Sequence, residues 1–178
     1  MNTDTTPMLA SLEYLPYLNE LGETTDQFAG KVGVYAIFDQ AKTLQLIGYS
    51  RDVSISLKQH LVRQPEGCYW LKVQTIDRPS RTMLEEMRLA WIAENGSIPI
   101  GNDAEEAIWN QPIDAKLKMT AAEQAAYAAT DEIGRIKTLK QVARRVEAEV
   151  LADLEARGVK MAIRFDPKLK EEGLLNLK

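Results

Sequence analysis

The chain has 178 residues, 45% of them hydrophobic and 27% charged, the proportions of a globular protein long enough to bury a core as one domain with an extension or as two small domains. A net charge of −4 counts against a surface built chiefly to neutralise phosphates, though a local basic stripe is compatible with it. The single cysteine, Cys68, excludes an internal disulfide framework and a cysteine-based zinc cluster and suits the cytoplasm or another reducing compartment. No apolar run is long enough for a membrane span, and residues 1–7 lack the basic start and apolar core of a secretory signal.

Leu9, Leu12, Leu15, Leu18 and Leu21 recur at intervals of three, interrupted by Pro16, which predicts one or two helical turns packed on a sheet. Residues 32–38 are an unbroken apolar and aromatic run, β-branched at Val32, Val34 and Ile37, suited to a strand covered on both faces. Residues 39–42 turn the chain, and 43–49 alternate well enough to return as an antiparallel partner. Ser50 stands where a helix N-cap belongs, with Asp52 in the first turn, and Val53, Leu57 and Leu61 make one face of a helix over residues 51–62. His60, the only histidine, invites a general-base or metal role. With no second histidine or cysteine to pair with it, a partly buried structural histidine is favoured.

Residues 68–76 predict a strand, in which Cys68 reads as a small buried apolar group. Ser80 suits the N-cap of a helix over 81–94, with Leu84, Met87 or Arg88, Trp91 and Ile92 at helical spacing and Asn95-Gly96 as its stop. Residues 103–119 read as a linker anchored by Ile108, Trp109 and Pro112. Thr120 and Glu123 form a capping box, Gly134 suggests a break or bend, and Ile136, Leu139, Ala143, Val146, Val150 and Leu154 form a stripe ending near Gly158. That stripe suits a helical hairpin, a dimer seam, or docking on the first domain. Arg135, Lys137, Lys140, Arg144 and Arg145 precede Glu147, Glu149, Asp153 and Glu155. The basic half suits phosphate or an acidic partner protein, and a solvated face with intrahelical pairs is the plainer alternative. Residues 159–165 suit a short strand or an extended segment, and the amphipathic tail 168–178 predicts packing within the chain or on a partner.

Gly33-Val34-Tyr35, ten intervening residues, then Leu46-Ile47-Gly48 and a helix ending near His60 resemble the GIY-YIG nuclease family in a divergent form, similar to members from cyanobacteria and plant plastids. Pro99 and Asn102 after the second helix extend the resemblance. It implies an α+β fold with a small three-stranded antiparallel sheet flanked by helices over residues 31–102. A lead-in, 1–30, would precede it; the linker, 103–119, and a helical extension, 120–178, would follow.

The resemblance also implies a catalytic kit: a tyrosine pair to move a proton, an arginine on the first helix to stabilise the phosphorane, and a glutamate on the second to hold a divalent cation. Tyr35 keeps the first tyrosine. Leu46 stands at the second, Ser56 at the arginine and Arg88 at the glutamate, where a guanidinium would repel the metal. Tyr49, Arg51 and Glu85 lie nearby, but a helical turn advances about 5.4 Å, while roughly an ångström of misplacement costs about 10²-fold in rate.

The expected function is therefore a catalytically degenerate binding or assembly module for a protein partner, without a cofactor, and able to oligomerise through the C-terminal helix. Its cleft would offer Tyr35, Tyr49, Arg51, His60 and Asn102. One alternative is a metal-dependent DNA endonuclease using Tyr35, Tyr49, Arg51 and Glu85 with Mg2+ or Mn2+. Another is a non-cleaving nucleic-acid binder using the basic segment 135–145.

Overall fold

The computed structural model describes residues 6–178; residues 1–5, the start of the expected lead-in, lie outside the described residues. Two compact units divide the chain, Met1–Asn110 and Gln111–Lys178, with the boundary inside the stretch read as a linker. Among the described residues no helix is long and apolar enough to cross a membrane.

In the first unit, strands β1 (Leu15–Pro16), β2 (Gly33–Phe38), β3 (Leu44–Ser50) and β4 (Trp70–Thr75) form an antiparallel sheet in the order β1-β4-β2-β3. The α+β class expected from the sequence is present. The sheet carries a fourth strand because residues 15–16 pair with β4, Leu15 opposite Leu71. Of the helical turns predicted there, a single 3-10 turn forms at Leu9–Ser11. Pro16 lies on an outermost strand, where its missing N–H is tolerated.

Every residue of β2 is buried, as an apolar run in a central strand requires. Alternation sends Val34, Ala36 and Phe38 to one face and Tyr35 and Ile37 to the other. Helix α1 (Val53–Arg63) reaches the Tyr35 face through His60. Helix α2 (Arg81–Asn95) buries Leu84, Met87 and Trp91 in one cluster with Leu9, Val34, Ala36, Phe38 and Ile47. Side chains also tie down the N-terminal segment. Trp91 Nε1 donates to the Pro7 carbonyl (2.9 Å), Glu94 accepts from the Leu9 and Ala10 amides (2.6 and 2.8 Å), and buried Lys72 donates to the Leu9 carbonyl (3.1 Å).

The cap of α1 differs from expectation. Asp52, not Ser50, is the N-cap, accepting from the Ile55 amide at 3.3 Å from an extended backbone, and Ser50 ends β3. A carboxylate at the positive helix end serves as well as a hydroxyl, and Ser50 Oγ instead donates to the Asp52 carbonyl (2.8 Å). Ser80 does cap α2, accepting from the Met83 amide at 3.1 Å, and Gly96 closes that helix in the left-handed region (φ 85°). A short helix, α3 (Glu106–Asn110), ends the unit.

The second unit holds β5 (Ile113–Asp114), α4 (Ala121–Ala128), α5 (Glu132–Arg157), α6 (Pro167–Lys170) and β6 (Leu174–Leu175). The Thr120/Glu123 capping box is formed. The break expected at Gly134 falls earlier, because Asp131 caps α5 by accepting from the Gly134 amide (2.8 Å). Glycine is needed within this first turn since a Cβ there would come 1.8 Å from Thr130 Oγ1. Leu139, Ala143, Val146, Val150 and Leu154 of the expected stripe are buried, whereas Ile136 is 45% exposed. Of the short strand or extended segment expected over residues 159–165, the segment forms one isolated bridge, Phe165 to Leu177, and no strand. The tail packs within its own unit, with β6 pairing antiparallel to β5.

Candidate functional site

A cleft of about 230 Å³ lies at the outer edge of β3. Residues 46–49 floor it, Tyr35 adjoins them from β2, Arg88 enters from α2, and Asn102, Glu106 and Asn110 come from the chain after α2. Tyr35 stands opposite Gly48 in the β2–β3 register. A Cβ on Gly48 would sit 2.7 Å from the Tyr35 hydroxyl, so glycine lets the ring lie across the strand.

The Tyr35 hydroxyl is 2.8 Å from His60 Nε2, and His60 Nδ1 is 2.9 Å from the Trp109 carbonyl. A carbonyl only accepts, so Nδ1 carries the proton, and the neutral ring must accept at Nε2 from the tyrosine. Burial drives both groups to their neutral forms. It pushes the Tyr35 phenol far up, against smaller opposing effects of a hydrogen bond with Ser56 and the charge of Arg63. It pulls His60 down to about 4, against the hydrogen bond to Trp109. His60 is thus a fully buried structural histidine (3% exposed) that fixes the tyrosine and joins α1 to α3. Arg63 Nη1 donates to the same Trp109 carbonyl at 3.1 Å.

Tyr49, Arg51 and Glu85, the residues expected to serve an active site beside Tyr35, do not assemble around it. Tyr49 pairs with Val34 in the register and therefore projects from the opposite face of the sheet to Tyr35. There it packs against the α2-side core. Ser56 Oγ donates to Ser50 Oγ at 2.7 Å. Arg51 is exposed at the turn into α1.

Glu85 is committed to Arg88. Arg88 Nε donates to Oε2 at 3.1 Å, and Nη2 makes a short bond to Oε1. The bond from Arg88 is the main reason the Glu85 carboxyl sits below the usual range, with Tyr49 contributing less. Magnesium or manganese does not fit this donor set, since a guanidinium engages both oxygens of the one carboxylate proposed to hold it. Among the described residues no group of three or more His, Cys, Asp or Glu side chains is placed to hold a metal ion.

Asn102 has a backbone role. Its Oδ1 accepts from the Ile47 amide (2.8 Å) and its Nδ2 donates to the Ile47 carbonyl (2.7 Å). One side chain thus stands in for a neighbouring strand and blunts the β3 edge. Glu106 and Asn110 were missed because residues 103–119 read as linker. Trp109 was legible only as an apolar anchor.

In the second unit the basic segment is largely spoken for. Arg135 stacks on Tyr127 (5.2 Å to the ring centroid) and donates to its carbonyl. Lys140 pairs with Glu171 (3.2 Å), and Arg145 pairs with Glu123 (2.7 Å) and Glu149 (2.8 Å). Lys137 and Arg144 are exposed. Two of these five basic residues, Lys140 and Arg145, are thus paired with acids of their own unit.

A scan against models of known protein families finds no match. Over 81 residues, 43% of this chain, the sequence is 35% identical to the chloroplastic bifunctional monothiol glutaredoxin-S16 of Arabidopsis thaliana. The match spans 28% of that relative's length.

Proposed function

We propose that the first unit is a GIY-YIG-like module whose phosphodiester-cleaving chemistry has decayed and which now serves as a binding or assembly module for a protein partner. The observation that carries this reading is the Arg88–Glu85 pair, which puts a bound cation where the resemblance calls for a metal-holding carboxylate. Three further features support it. Ser56 is uncharged, Leu46 has no hydroxyl, and Tyr35 spends its proton on a buried histidine. A neutral tyrosine held this way is a poor base, because its phenolate is disfavoured by burial.

The glutaredoxin relative does not bring thiol chemistry with it. Such chemistry needs a reachable thiolate, and Cys68, the single cysteine, is 0% exposed. The partial match leaves the relative's own activities with that protein. A reducing compartment is the proposed location.

The competing readings are a metal-dependent endonuclease and a non-cleaving nucleic-acid binder. Purified protein incubated with branched and linear DNA plus magnesium or manganese is expected to leave both intact. Metal-dependent cutting that Tyr35→Phe and Glu85→Ala abolish would overturn the proposal. Salt-sensitive DNA binding lost on joint replacement of Lys137 and Arg144 by alanine would favour the binder instead.

A further inference from the structure

We propose that the cleft at the outer edge of β3 receives a lysine or arginine side chain carried on an extended segment of the partner protein, with Glu106 as its counter-ion. The inference rests on reading the first unit as a binding module and adds what that module recognises.

The charges of the cleft decide the sign of its occupant. Its two charged side chains are Arg88 and Glu106. Arg88 donates through Nε and Nη2 to the two oxygens of Glu85, so a carboxylate on its own helix offsets its charge. Glu106 is exposed, and among the described residues its carboxylate takes part in no ion pair and no hydrogen bond. Counted with Glu85, the three groups leave one negative charge in excess, which favours a cation.

The hydrogen-bonding groups agree. Asn102 spends its Oδ1 and Nδ2 on Ile47 (2.8 and 2.7 Å). Asn110 donates through Nδ2 to the Glu106 carbonyl (3.0 Å), which leaves its Oδ1 to accept. Glu106 and Asn110 stand four residues apart on one side of α3, so one ammonium or guanidinium can donate to both. Trp109, 1% exposed, holds α3 in place, its carbonyl taking hydrogen bonds from His60 and Arg63. A cleft of about 230 Å³ has room for one such side chain.

The edge of β3 offers a seat for the main chain that carries it. Val32 and Phe38 accept from the Ile76 and Tyr69 amides on the β4 side, at 2.9 Å each. Alternation turns the backbone of Val34 the same way, so Tyr49, opposite Val34, has its N–H and C=O on the outer edge. Asn102 occupies the equivalent pair at Ile47, whereas the Tyr49 pair has no bond among the described residues. Tyr49 also lines the cleft, so an extended segment paired there sits beside Glu106 and Asn110.

The test titrates the full chain with N-acetyl-lysine amide and with N-acetyl-arginine amide, and follows the Tyr49 backbone amide and the Asn110 side-chain amide by NMR. Nα,Nε-diacetyl-lysine amide, with the same main chain and no charge, is the control. A basic probe is expected to shift both signals and to bind about threefold more tightly than the control. Glu106→Gln is expected to remove that advantage, and added salt to weaken the basic probes but not the control. A response to one basic probe alone supports the proposal and names the side chain. No saturable shift with either basic probe, equal affinity for the control, undiminished affinity in Glu106→Gln, or salt-independent binding would each overturn it. The non-catalytic reading is judged by DNA cleavage, so either can fail without the other.

Discussion

Tyr35 Oη and His60 Nε2 stand 2.8 Å apart in the interior of the first unit, and the Trp109 carbonyl fixes which of them donates. A residue that the family resemblance casts as a proton mover is here one link of a closed internal chain. The pair also makes a stability sensor. His60 is depressed to about 4 by burial, so between its ordinary value near 6.5 and about 4 the unfolded chain takes up a proton that the folded chain refuses. Its contribution is complete above about pH 6.5, is lost as pH falls towards 4, and changes no further below that. The total is roughly 3 kcal/mol. Urea unfolding at pH 7, 5.5 and 4.5 is expected to show this decline, and His60→Gln to lose that part of the acid dependence. Parallel pH profiles for the two proteins would contradict it.

Gly48→Ala is expected to destabilise by about 1–3 kcal/mol through overpacking. The added methyl would sit 2.7 Å from the Tyr35 hydroxyl and 2.8 Å from the ring carbon bearing it. The ring cannot swing aside without abandoning His60. In a Tyr35→Ala background the same substitution should cost much less, and a double-mutant cycle by chemical denaturation measures the coupling.

Asn102→Ala removes both hydrogen bonds to Ile47. The expected loss is about 1–3 kcal/mol, together with faster hydrogen exchange at the Ile47 amide. Asn102→Asp keeps the acceptor but sets a carboxylate oxygen against the Ile47 carbonyl, so at neutral pH it should destabilise at least as much as the alanine variant. Unchanged exchange at Ile47 in Asn102→Ala would show that the β3 edge is protected by other means.

In the second unit, Arg145 reaches from α5 to both oxygens of Glu123, to Glu149 and to the Lys118 carbonyl. Glu123 is also the reciprocal member of the α4 capping box. These groups are partly exposed, so Arg145→Met should cost about 1 kcal/mol at low salt and less as salt rises. Thermal unfolding monitored across ionic strength gives the comparison. A salt-independent loss would mean that the aliphatic stem, rather than the charge, matters.

Several elements were readable residue by residue. The apolar run of β2, the Ser80 and Thr120 caps, and the Gly96 and Gly158 stops are short-range signals, set by residue type within one strand or one helical turn. The Asp52 cap was misassigned to Ser50 because two good capping residues lie two positions apart, and the length of β3 selects between them. Part of the site was also readable. Leu46 and Tyr49 are an odd number of residues apart on one strand, so period-two alternation already places Tyr49 away from the position it would have to fill. The placement of α3 was not readable: five helical residues between two loops carry no periodicity, and Trp109 declares its place only once Gly67 and Gly101 are beside it.

Local chemistry in the chain was therefore enough for the order of the hairpin, its two following helices and the third strand, and for the absence of an ionisable group at Leu46 and Ser56, since these depend on residue type and near neighbours. Folding in three dimensions decided that Tyr35 turns inward to His60, that Glu85 serves Arg88 rather than a metal, and that Glu106 comes to the same cleft. Each of those pairings depends on which faces of separate helices and strands meet, and burial then sets the charge states that decide the chemistry.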